Sequence, residues 1–127
     1  MRYFLDTHAY LWHALNDPKL PANVKKELDD PVNDVAISIA SLWEIGIKTS
    51  LGKLPIPLNV LGLHELAEAQ SIEIVHISPE AIHHTAMMDW FNRDPFDRLI
   101  AATAIIRGDI LVTVEQPFER WGVRRFW

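Results

Sequence analysis

Apolar residues along the chain follow two alternating patterns. Short apolar-rich runs, "RYFLD" at 2–6, "VAISIA" at 35–40, "IEIVHI" at 72–77 and "ILVTV" at 110–114, are too brief for helices and read as strands. Longer segments between them carry apolar residues at helical spacing. These are "THAYLWHALND" at 7–17, halted by Asp17 and Pro18, the more polar "LPANVKKELDD" at 20–30, and "SLWEIGIKTSLGKL" at 41–54. After the turn material "LPIP" come "LNVLGLHELAEAQS" at 58–71, "SPEAIHHTAMMDWF" at 78–91, and "DPFDRLIAATAII" at 94–106, which ends near Gly108. A last short strand falls in "VRRFW". Strands alternating with helices predict an α/β fold: a mainly parallel central sheet of four or five strands flanked by helices on both faces.

Three helix starts carry sequence signatures. Ser41 caps one helix with Glu44 three residues on, and Leu42, Ile45 and Leu51 then face the core; Gly46 is an imperfect helix residue that blurs the boundary. Ser78, Pro79 and Glu80 suit a second start. At the third, Asp94 is the N-cap, Pro95 the first helical residue and Asp97 the third, where a carboxylate meets the positive helix end. A carboxylate displayed there can equally bind a metal or a substrate. Trp12, Trp43 and Trp90 read as core or half-buried anchors.

Composition narrows the class. The length of 127 residues is natural for one domain, here 1–127, able to fold on its core without staples. No cysteine means no disulfide framework and no thiolate zinc site, which fits a reducing compartment, with the cytoplasm as the default expectation. Asp6 interrupts the apolar start, so no secretory leader is evident, and no run approaches the roughly 18 apolar residues of a membrane span. A formal net charge of -5 argues against broad binding to duplex DNA.

Ligands of parallel α/β sheets bind beyond the carboxyl ends of the strands. That rule gathers Asp6 after the first strand, Glu44 after the second, Asp94 and Asp97 at a late helix start, and Glu115 after "ILVTV". Carboxylates crowded at one edge repel and raise one another's pKa unless a cation neutralises them. Oxygen-only donors favour Mg²⁺ or Mn²⁺ over zinc, and two such ions about 4 Å apart can activate a water against a phosphodiester. His8 and His13 are one residue off the spacing that faces two rings at one metal, and His83 and His84 are adjacent, which argues against a histidine site.

"FLDTHAYLW", "SLWEIGIK", "DPFDRLIAATA" and "LVTVEQPF", in this order across nearly the whole chain, resemble the PIN-domain ribonucleases, specifically the VapC-type toxins of prokaryotic toxin-antitoxin pairs. The resemblance implies a PIN-like fold and an Mg²⁺-dependent or Mn²⁺-dependent endoribonuclease leaving 5′-phosphate and 3′-hydroxyl ends. It also implies a homodimer, an RNA substrate and a cognate VapB-type antitoxin whose C-terminal segment covers the acidic groove. Asp6, Glu44 and Asp97 match the family's three acidic metal positions; Glu115 stands where a fourth aspartate is usual. Thr7 and Thr113 are candidates to orient a metal-held water, and Lys48, Arg93 and Arg98 to contact backbone phosphates. A receiver-type phosphoacceptor domain is disfavoured, because "IEIVHIS" ends without aspartate and "ILVTVEQ" carries no lysine, and "LDTH" lacks the second aspartate of an aspartyl phosphatase. The remaining alternative is a PIN-like binding or regulatory module without nuclease activity.

Overall fold

The computed structural model describes residues 1–127. The strands are β1 (Arg2–Leu5), β2 (Asp34–Ser38), β3 (Glu73–Val75), β4 (Ile110–Val112) and β5 (Arg125–Phe126). The helices are α1 (Thr7–Ala14), α2 (Ala22–Asp29), α3 (Ile39–Ser50), α4 (Val60–Ala69), α5 (Pro79–Met87) and α6 (Pro95–Arg107), with a 3₁₀ turn over Gln116–Trp121. The five strands form one sheet in the order β3-β2-β1-β4-β5, and every pairing is parallel. The expected fold class is therefore the observed one.

Side chains alternate across a strand, so each apolar run supplies both faces of the sheet. Tyr3, Leu5, Val35, Ile37 and Val112 enter one core with Tyr10, Val24, Leu42, Ile45 and Leu63 from the helices α1 to α4. Phe4, Ala36 and Leu111 enter the other, against Ile100, Ala101, Ala102 and Ala104 of α6. Register places Phe4 beside both Ala36 and Leu111, and the alanines let α6 lie close over that ring.

Local boundaries differ from the sequence reading where tertiary packing decides. Ser38, not Ser41, caps α3: its hydroxyl accepts the Ala40 N–H at 3.0 Å, because the chain turns into helix directly from β2. Ser41 is instead fully buried within the first turn. Leu51 stands past the end of α3 and is 61% exposed, so it takes no part in the core. Helix α3 runs through Gly46, where an added Cβ would come within 3.3 Å of Val60 Cγ2; the missing side chain lets α4 approach. Trp43 and Trp90 are 63% and 57% exposed rather than anchors, whereas Trp12 is half-buried against the first core.

The strand order sets up the site. From β1 the chain moves to β2 and β3 on one side, then returns through α5 and α6 to β4 on the other. The connections leaving β1 and β4 diverge at that reversal and open a crevice at the carboxyl ends of the strands.

Candidate functional site

A cleft of about 670 Å³ opens at that edge, lined among others by Asp6, Glu44, Asp94, Asp97 and Glu115. Asp6 follows β1 immediately. Its backbone N–H donates to the Val112 carbonyl at 3.1 Å, extending the β1–β4 ladder, and its Oδ1 accepts the Ala9 N–H at 2.8 Å as the N-cap of α1. Strand and helix together fix this buried carboxylate. Glu44 sits on the inner face of α3 with both oxygens engaged: Thr7 Oγ1 donates at 2.5 Å and Lys48 Nζ at 2.9 Å. Thr7 Oγ1 is also hydrogen-bonded to Ser41 Oγ at 3.1 Å, which ties α1 to α3 behind the cleft.

At the start of α6 the two aspartates divide the work. Asp94 Oδ1 accepts the N–H groups of Phe96 at 2.8 Å and Asp97 at 3.0 Å, capping the helix. Asp97 is left free to turn its carboxylate toward the cleft, where Oδ2 accepts from Asn92 Nδ2 at 3.1 Å. If Asp94 acts as the cap, Asp94→Ala should cost about 1 kcal/mol of stability and Asp94→Ser very little, measured by chemical denaturation.

Electrostatics show how closely the acids are associated. Burial pushes Asp6 above the usual carboxylate range, and the charge of Glu115 adds to this against the Thr113 hydroxyl, the Ala9 N–H and His8. Asp97 is pushed up to about 6, first by burial and then by the charges of Asp94, Glu44 and Asp6, with the Asn92 hydrogen bond opposing. Each acid thus destabilises the ionised form of its neighbours, a cost that a cation in the cleft would remove. As the side chains stand, no three acids or histidines converge at ligand distance on one point, and Glu44 is turned onto Thr7 and Lys48. A small hard cation is still compatible with this donor set: Mg²⁺ keeps several waters and takes only one or two carboxylates directly.

The secondary candidates separate. Thr7, Lys48 and Arg93 line the cleft. Arg98 does not: it is 2% exposed, and its guanidinium donates to the carbonyls of Thr85, Met88, Asp89 and Asn92. Those bonds leave it unable to reach a phosphate. Thr113 is fully buried, accepts the Glu115 N–H at 3.0 Å and supports Asp6 rather than facing a cleft water.

Two residues escaped the sequence reading. Arg120 lines the cleft with its guanidinium 4.0 Å from the centre of the Phe91 ring. Nothing in its local sequence distinguishes it from other surface arginines. Asn92 joins Asp94 and Asp97, and here a cue existed: an asparagine two residues before Asp94 is the signature of a side chain that bonds its own backbone two residues on.

The PIN domain family model matches residues 3–123. Ribonuclease VapC22 of Mycobacterium tuberculosis is 32% identical over 115 residues, which cover 88% of this chain and 85% of that protein. Among solved structures, VapBC2 from Rickettsia felis bound to a DNA fragment from its promoter aligns with a TM-score of 0.71 at 20% identity, covering 99% of this chain and 98% of that one. VapBC-1 from nontypeable Haemophilus influenzae aligns with a TM-score of 0.71 at 20% identity, covering 99% and 97%. With the acidic cleft at the strand-order reversal, these matches fix the relationship: the chain belongs to the PIN domain family and, within it, to the VapC type.

Proposed function

We propose that this protein is an Mg²⁺-dependent or Mn²⁺-dependent endoribonuclease and the toxin of a VapBC-type pair. The observation that carries this reading is the gathering of Asp6, Glu44, Asp97 and Glu115 in one cleft, in a chain that shares 32% identity with a VapC ribonuclease. Asp6 and Asp97 would hold the principal ion, directly or through water, with Glu44 and Glu115 completing the site. A divalent cation bound there supplies Lewis-acid polarisation of the phosphodiester and activates water for in-line attack.

The chain's own groups do the rest. Thr7 and Lys48 steer the Glu44 carboxylate, and the Asn92 amide steers that of Asp97. Arg93 and Arg120, which line the cleft, would meet backbone phosphates of a bound RNA. The longer Glu115 side chain, exposed at the N-cap of the 3₁₀ turn with no capping bond of its own, keeps the freedom to close on an ion through water.

The partner in this reading is a VapB-type antitoxin that covers the cleft, and the working form is a homodimer. Exposed Trp43, Trp90, Met87 and Ile82 offer apolar surface suited to such contacts. The test is incubation of purified, antitoxin-free protein with total cellular RNA and Mg²⁺ or Mn²⁺, with the product ends mapped. Cuts at discrete sites that leave 5′-phosphates and 3′-hydroxyls and vanish with chelator are expected. Folded, antitoxin-free protein that cuts nothing would favour the binding-module alternative.

A further inference from the structure

The segment between α5 and α6 is stapled by a buried cation that no carboxylate neutralises. Arg98 Nη1 donates to the carbonyls of Asp89 at 2.8 Å and Asn92 at 3.0 Å, and Nη2 to those of Met88 at 3.0 Å and Thr85. Its guanidinium carbon lies 3.5 Å from the centre of the Trp90 ring, and Trp121 Nε1 donates to the Asp89 carbonyl at 3.0 Å. A positive group at carbonyls following a helix C-terminus is favourable, and a planar fork suits several acceptors at once. The Nη1 bond ties the Asn92 carbonyl to α6, and the other contacts hold the chain leading up to it.

The Asn92 side chain is fixed in turn, since its Oδ1 accepts the Asp94 N–H at 2.8 Å. That bond leaves Nδ2 aimed at one acceptor, Asp97 Oδ2, at 3.1 Å. An Asx turn alone needs only the oxygen; the amide donor is surplus to the turn and is spent on the cleft. We propose that Asn92 is the positioning residue of the site, holding the Asp97 carboxylate in place, and that Arg98 acts through Asn92. The inference rests on the proposed function for its consequence, metal binding, and on the hydrogen-bond chain for its geometry.

The test compares wild type with Asn92→Ser, which keeps a short acceptor for the Asp94 N–H but cannot reach Asp97, and with Asn92→Ala. Mn²⁺ affinity is measured by calorimetry, RNA cleavage as separate kcat and KM, and the Asp97 side-chain carboxyl carbon by NMR in metal-free protein. Loss of a group that orients a metal ligand should weaken Mn²⁺ binding about tenfold or more and lower kcat similarly, with KM little changed. In an Asp97→Ala background, which leaves the Asn92 amide nothing to hold, the Asn92 change should alter the residual Mn²⁺ affinity by less than about twofold, since the two act as one unit. The carboxyl resonance should move in both Asn92 variants. Unchanged affinity and kcat, or an Asn92 effect that persists undiminished without Asp97, would overturn the positioning role while leaving the nuclease intact. If wild type itself neither binds Mn²⁺ nor cuts RNA, the proposed function fails in that arm alone. The carboxyl resonance then decides the positioning role: movement supports it and an unmoved signal overturns it.

Discussion

Asp97→Asn is expected to lower metal-dependent RNA cleavage by about 10³-fold while raising the melting temperature of the metal-free protein. The first effect follows from removing a charged oxygen donor where the ion stabilises transition-state charge, several kcal/mol in rate terms. The second follows from the same crowding. Asp97 is pushed up to about 6 by burial and by Asp94, Glu44 and Asp6, so its ionised form is disfavoured in the metal-free fold at pH 7. Neutral asparagine has nearly the same shape, can accept from Asn92 Nδ2 through its own oxygen, and does not carry the repulsion. The gain should be about 2 kcal/mol, less than the full shift would give because Asp97 is only half-buried and water screens it. A variant that lost activity and stability together would point to misfolding and contradict this explanation. Calorimetric melting of wild type and variant beside cleavage rates separates the two cases.

The second large expectation is that metal-free wild type loses stability relative to Asp97→Asn as pH rises from about 4 to about 7. The sign is set by the direction of the shift. An aspartate at about 6 in the fold, against an ordinary 3.8, holds its proton more tightly folded than unfolded. Across that window the unfolded chain binds fewer protons, so stability falls with rising pH. Asp6, also raised, acts in the same sense but is present in both proteins. The lowered Asp29, paired with Lys25 and His13, acts in the opposite sense, but it is common to both proteins and cancels in the comparison. Mn²⁺ at pH 7 should reverse the loss in wild type, by about 2.7 kcal/mol at a concentration one hundred times its dissociation constant. Melting curves at several pH values, with and without Mn²⁺, check this. A wild-type curve that runs parallel to that of the variant through pH 4–7 would mean that the crowding of Asp97 does not bear on stability.

Much of the fold was legible in the sequence because its cues are local. A short apolar run such as "YFL" at 3–5 marks a strand covered on both faces, and Asp94, Pro95 and Gly108 bound α6 as their chemistry requires. The acids converge for a topological reason, the carboxyl-end rule, which needs only the alternation of strands and helices. What escaped depends on neighbours distant in sequence. Ser41 has the spacing of a capping box with Glu44, yet Glu44 is taken by Thr7 and Lys48, and Thr7 reaches it from another helix. Arg98 follows an acid at a helix start and reads as a surface cation; only the packing of α5 on α6 brings the Thr85 and Met88 carbonyls to it. Trp43 reads as an anchor because tryptophan usually is one, yet it stands on the outer side of α3 against Phe96, with ring centres 5.3 Å apart.

Whether the carboxylate cleft holds a cation is decided by titrating Mn²⁺ into metal-free protein at pH 7 and following binding by electron paramagnetic resonance. Saturable binding to wild type, competed by Mg²⁺ and lost or strongly weakened in Asp6→Asn and Asp97→Asn, is the predicted result. Absence of saturable binding to folded wild type, or binding that both substitutions leave untouched, would contradict it.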